Sequence, residues 1–123
     1  MSKLATILAL VTLGSISFET DAIAEKLQKL SDAKIRAMFT GMQLTDEVHW
    51  RYVYDRDGML TSYSMGTKKV GKWTIEKDAL CFYLGERDDG CYEVSLSGKR
   101  IEMKPSELGL SLEGVLQAAA DGN

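Results

Sequence analysis

At 123 residues, with one histidine, two cysteines and a formal net charge of −3, the chain has the size of one small domain and few of the side chains that nucleophilic catalysis needs. Its 15 Lys and Arg residues stand against 18 Asp and Glu, so it lacks the basic excess that marks a nucleic-acid surface.

The N-terminus reads as an address. Lys3 precedes an apolar run from Leu4 to Ile16, and Ala22-Ile23-Ala24 places small residues where a signal peptidase reads them. Residues 1–24 are therefore expected to be an export signal, with cleavage before Glu25. The run is too short to cross a hydrocarbon core of roughly 30 Å comfortably. No second apolar run follows to hold the chain in a membrane, and no cysteine stands at the end of the first to carry a lipid. The expected product is a periplasmic or secreted domain of 99 residues with a net charge of −2.

Beyond the signal, Leu27, Leu30, Ile35, Met38 and Phe39 recur at helical spacing, interrupted by Ser31-Asp32 in the manner of an N-cap. The pattern predicts a helix from about Asp32 to Thr40, with room for a helical turn ahead of it, and Gly41 suits a left-handed C-terminal cap. At Val48 the period changes to 2: Val48, Trp50, Tyr52 and Tyr54 alternate with His49, Arg51, Val53 and Asp55. Asp55-Arg56-Asp57-Gly58 is a turn, and Met59–Met65 returns as a partner strand. Gly66 and the lysines Lys68, Lys69 and Lys72 read as a solvated hairpin tip before a third strand, Gly71–Glu76. Leu80, Phe82 and Leu84 share one face of a fourth strand, opposite Cys81 and Tyr83. Strands from Cys91 to Leu96 and from Ile101 to Pro105 complete the set, with Ser97-Gly98-Lys99 as the turn between them.

Connections this short make neighbouring strands antiparallel. The expected fold is mainly β within an α+β class: a six-stranded antiparallel meander in residues 25–105, forming a curved sheet or partial barrel, with the N-terminal helix over one opening. Leu108, Leu112, Val115 and Leu116 suggest a C-terminal helix within 106–123, weakened by Gly109 and Gly114, with Ala120–Asn123 frayed. The apolar face comprises Trp50, Tyr52, Tyr54, Trp73, Ile75, Leu80, Phe82, Leu84, Tyr92, Val94, Leu96, Ile101 and Met103, and it must be covered. Barrel closure and helix cover are both physically adequate.

So small a domain buries only about 60–65% of its unfolded surface, and a crosslink helps it. Cys81 and Cys91, with nine residues between them in an exported chain, are expected to form a disulfide. A zinc site needs more ligands than these two and His49 supply, and the spacing is not that of a Cys-x-x-Cys redox pair.

The segment Gly71-Lys72-Trp73-Thr74-Ile75-Glu76-Lys77-Asp78-Ala79-Leu80-Cys81, followed by Gly90-Cys91-Tyr92-Glu93-Val94, resembles a group of small exported bacterial proteins of unassigned function. Their recurring pattern is a helix ending in Phe-x-Gly, a strand, an Asp-Gly turn, then Gly-x-Trp, a Leu-Cys strand and a Cys-Tyr strand. Phe39-Thr40-Gly41 and Asp57-Gly58 match the earlier pieces, so the likeness covers roughly residues 31–96. The meander also resembles lipocalin-like folds. These resemblances imply an exported, disulfide-bonded β domain and bring no catalytic residue with them.

Candidate chemistry is sparse. Triad catalysis needs a histidine beside its nucleophile, and His49 sits on the polar face of its strand. The acids Asp46, Glu47, Asp55, Asp57, Glu86, Asp88 and Asp89 all fall in turns, where acids are expected anyway. Asp55-x-Asp57-Gly58 lacks the third acid and the later glutamate of a calcium loop. No catalytic residue, metal site or cofactor is assigned. Two binding surfaces stand out. Trp50, Tyr52, Tyr54 and Trp73 share a face that either lines a pocket for a small apolar ligand or forms the core. The loop Glu86-Arg87-Asp88-Asp89 is a candidate contact for an envelope protein, and Tyr63 and Tyr83 lie on the opposite face as a further contact patch. The leading expectation is a non-catalytic periplasmic binding or accessory domain; the alternative is a protein-interaction module, such as an inhibitor of a cell-wall hydrolase.

Overall fold

The structure, a computed structural model, describes residues 27–119. The predicted export signal and the predicted frayed tail, residues 120–123, lie outside the described residues.

The first described strand, β1 (Gln28–Lys29), stands where a helical turn was expected. The helix α1 (Asp32–Phe39) follows, with the Lys34 N–H donating to the Ser31 hydroxyl at its N-cap. It stops at Thr40, and Gly41 takes the left-handed conformation (φ +78°) that turns the chain into β2 (Met42–Thr45). The remaining strands are β3 (Trp50–Tyr54), β4 (Met59–Ser64), β5 (Thr67–Glu76), β6 (Ala79–Tyr83), β7 (Gly90–Ser97), β8 (Arg100–Pro105) and β9 (Leu112–Ala118).

Strands β2 to β9 pair antiparallel in sequence order, and β9 pairs back onto β2, closing an eight-stranded up-and-down barrel. Two-residue turns with positive φ at both central positions, Met65-Gly66 and Lys77-Asp78, tighten the β4–β5 and β5–β6 hairpins. Strand β1 pairs with β7 beyond the end of β6, so it extends the wall without entering the ring.

Two expectations change. The sheet is closed, because β2 and β9 add two staves to the predicted six. The predicted C-terminal helix is the strand β9, so Leu112–Ala118 belongs to the barrel wall. Leu112, Gly114 and Leu116 alternate with Glu113, Val115 and Gln117, a period of 2 in a segment whose leucines also fit a helix. Gly114 is the reason the strand fits: a Cβ there would stand 2.7 Å from the Thr45 carbonyl oxygen.

Nine of the thirteen residues of the predicted apolar face belong to the buried core cluster, and Trp50, Ile75, Leu84 and Leu96 pack against it partly buried. Leu30, Ile35, Phe39, Leu44 and Leu60 complete its buried part. Two aromatic chains run through it. Phe39, Tyr54 and Trp73 meet edge to face, and Trp50, Tyr52, Phe82 and Tyr92 follow one another with centroids 5.1–5.6 Å apart. An eight-stranded barrel is just wide enough for side chains to fill it.

Gly-x-Trp acquires a physical meaning here. A Cβ at Gly71 would lie 2.0 Å from the Tyr83 carbonyl oxygen, so only glycine lets β5 pass β6 this closely. Two residues on, Trp73 buries its ring and donates its indole N–H to the Asp55 carbonyl at 2.9 Å. The motif thus ties β5 to the β3–β4 turn.

Candidate functional site

The chain direction sorts the connections onto two ends. Helix α1, the β3–β4 turn, the β5–β6 turn and the β7–β8 turn share one end; the β2–β3, β4–β5, β6–β7 and β8–β9 connections share the other.

At the helical end, α1 is locked down by a reciprocal pair. The Asp32 N–H donates to an Asp78 carboxylate oxygen at 2.8 Å, and the Asp78 N–H donates to the Asp32 carboxylate at 2.5 Å. Ile35 and Phe39 point into the core with no exposed surface. The opposite side of α1 leaves a concavity of about 620 Å³ against the rim. Its walls are Arg36 and Ala37 of α1, Arg56 and Gly58 of the β3–β4 turn, and Trp73 and Ile75 of β5.

At the loop end, carboxylates organise the backbone. One Asp46 oxygen accepts the N–H groups of Val48, His49 and Trp50, and the other lies 2.9 Å from His49 Nδ1. Desolvation pushes the Asp46 carboxyl up, but these hydrogen bonds outweigh it and hold the group well below the usual carboxylate range. His49 is therefore an exposed loop anchor, and β3 starts at Trp50 and not at Val48. Asp89 plays the same part across the chain: its carboxylate accepts the N–H groups of Leu84, Gly85 and Glu86 at 2.7–3.0 Å.

Of the four candidate contact residues in that loop, Asp89 is thus turned inward onto the backbone. Glu86 pairs with Lys69 at 2.6 Å over a small polar cavity of about 240 Å³ lined also by Ser62, Ser64 and Thr67. Arg87 and Asp88 are exposed. Cys81 and Cys91 face each other across β6 and β7 and form the expected disulfide, at the root of the same loop.

The four aromatic candidates do not form one surface. Tyr54 is fully buried and Tyr52 nearly so. Burial, then the charges of Asp88 and Glu86, pushes the Tyr52 phenol up to about 12, and burial pushes Tyr54 still higher. Trp50 is half-buried at the loop end, and Trp73 is the one that reaches the groove beside α1. Tyr63 lies on the outer wall under the Arg51 guanidinium, 3.9 Å from its ring centre, while Tyr83 is exposed opposite Lys72.

Asp57 accepts the Met59 N–H within its hairpin turn. Among the described residues, the one cluster with metal-ligand chemistry is Glu76, Cys81 and Cys91, and its two sulfurs are bonded to each other. The same residues hold no helix long and apolar enough to cross a membrane.

Sequence reasoning missed Arg36 and Arg56. Each is an ordinary surface arginine in the linear chain; only the docking of α1 beside the β3–β4 turn brings them to one groove. The chain matches no protein-family model, and no curated protein or solved structure is significantly similar to it.

Proposed function

We propose that the chain is an exported, non-catalytic binding domain of the cell envelope that holds a small ligand with an apolar body. The groove beside α1 carries this reading, because it offers the apolar surface of Ile75 and Ala37, at the edge of the buried Trp73, next to polar groups in one concavity. Its volume of about 620 Å³ lies within the usual range for small-molecule sites. The barrel interior is filled by its own aromatic side chains, so the ligand belongs at the rim. The disulfide supports an oxidising compartment, and the likeness to small exported bacterial proteins points the same way.

Native mass spectrometry of the protein purified from the periplasm tests the reading. The expected spectrum is an oxidised chain lacking residues 1–24, together with a fraction carrying extra mass that disappears on denaturation. A chain retained with its N-terminus and free of any ligand in every preparation would remove both parts of the proposal.

A protein-interaction role, such as inhibition of a cell-wall hydrolase, is favoured by a separate observation. Val48, Met65, Leu108 and Leu110 are all exposed, and all stand on the connections of the loop end. If that end docks on a protein, Asp88→Lys should weaken the complex; unchanged affinity would take the Gly85–Gly90 loop out of the contact.

A further inference from the structure

The groove beside α1 also has a charge, and this sharpens the binding reading on which it rests. Arg36 extends from the last turn of α1, and Arg56 from the β3–β4 turn, and both line the same concavity. Arg56 lies across Gly41: a Cβ built there would stand 3.8 Å from its Nε and Nη2 atoms. The left-handed turn at Gly41 (φ +78°) thus runs alongside the Arg56 guanidinium.

Neither guanidinium has an ion-pair partner among the described residues, although Lys29, His49, Lys69 and Arg100 each have one. The acids that flank Arg56 in sequence do not neutralise it. Asp57 turns its carboxylate to the Met59 N–H, and Asp55 contributes its backbone to the turn and to the Trp73 indole. Thr40, at the end of α1, donates its hydroxyl to the Arg36 carbonyl at 2.6 Å, so it does not compete as a donor. Two arginines without an ion pair therefore line a concavity whose apolar walls include Ala37 and Ile75 and whose polar ones include Thr40 and Thr74. Guanidinium groups bind carboxylate and phosphate oxygens through paired hydrogen bonds.

We propose that the groove binds an anionic amphiphile, with a carboxylate or phosphate head held by Arg36 and Arg56 and an apolar body against Ile75 and Ala37, at the edge of Trp73. Tryptophan fluorescence and thermal shift of the oxidised protein, titrated with dodecanoate, dodecyl phosphate and dodecanol below their aggregation concentrations, test it. Either anion should bind saturably and raise the melting temperature, and the neutral alcohol should bind at least about tenfold more weakly. The tighter of the two anions identifies the head.

The double variant Arg36→Gln/Arg56→Gln, made at two exposed positions, should keep the circular dichroism of the parent and lose at least about tenfold in affinity for the preferred anion. Arg100→Gln, at an arginine that is ion-paired to Glu113 and does not line the groove, should bind as the parent does. Should the double variant fail to fold, the parent's affinity must still fall as salt rises, since screening weakens exposed ionic contacts. Dodecanol binding as tightly as the anions, without salt dependence, would overturn the anionic assignment and leave the binding domain standing. Saturable binding of none of the three probes would overturn the groove as a site for such ligands altogether.

Discussion

At the α1 end of the barrel, Phe39, Tyr54 and Trp73 meet edge to face with almost no exposed surface, and the helix is fastened by one reciprocal pair of hydrogen bonds. At the opposite end the same wall finishes in turns wrapped around carboxylates: Asp46 and Asp89 each accept three backbone N–H groups, and a disulfide ties the longest of the strands they serve. One end is held by apolar packing, which is non-directional and proportional to area. The other is held by directional bonds to a few charged atoms. The difference teaches where each kind of substitution will hurt, and why a groove lined by exposed arginines can sit over the packed end without weakening it.

Phe39→Ala should give the largest loss, about 3–5 kcal/mol, because it removes a fully buried ring and leaves a cavity between α1 and Tyr54. Chemical denaturation reads this directly; a loss below about 1 kcal/mol would mean that α1 does not hold its end by packing. Reduction of Cys81–Cys91 should cost about 2–3 kcal/mol in the chain-entropy picture of a short loop. Hydrogen exchange should show the Gly85–Gly90 loop opening while the amides of α1 stay protected. Uniform loss of protection would erase the division between the ends.

Asp89→Ala leaves three N–H groups without their acceptor and should cost about 1–3 kcal/mol, confined to the loop end. An effect as large as that of Phe39→Ala would show that the two ends do not differ in kind. The smallest effect is on acidification. Asp46 is held below its ordinary range in the folded protein, so its contribution is complete above about pH 4 and fades as the pH falls through the folded value. Amide exchange at Val48, His49 and Trp50 should accelerate in acid before that of the core strands; simultaneous loss would place the acid-sensitive group elsewhere.

Much of the wall was legible because alternation is a strong signal wherever aromatic residues mark the inner face. Trp50, Tyr52 and Tyr54, or Tyr92 and Val94, can face one way only. Strand β2 escaped because its four residues place only Leu44 fully in the core, with Gln43 and Thr45 buried on the outer side through hydrogen bonds to Gln117 and the Trp50 carbonyl. Strand β9 was read as a helix because leucines four apart satisfy both periods, and the decisive fact, the approach of Gly114 to Thr45, exists only once the barrel closes. The groove was not legible at all. Arg36 and Arg56 are twenty positions apart and carry no shared pattern; the aromatic residues that looked like a pocket are chiefly the core.

The β2–β9 seam has a consequence for how the barrel comes to exist. It joins Met42–Thr45 to residues 115–118, so the ring closes through contacts between residues 70 to 76 positions apart. Before that moment the chain is an open sheet with two unpaired edges, each a template for pairing with another molecule. Contacts this distant in sequence slow folding, and β9, paired with both β2 and β8, is the strand that removes both edges at once. The sheet is therefore shielded from edge pairing only where Leu112–Ala118 has found both of its neighbours.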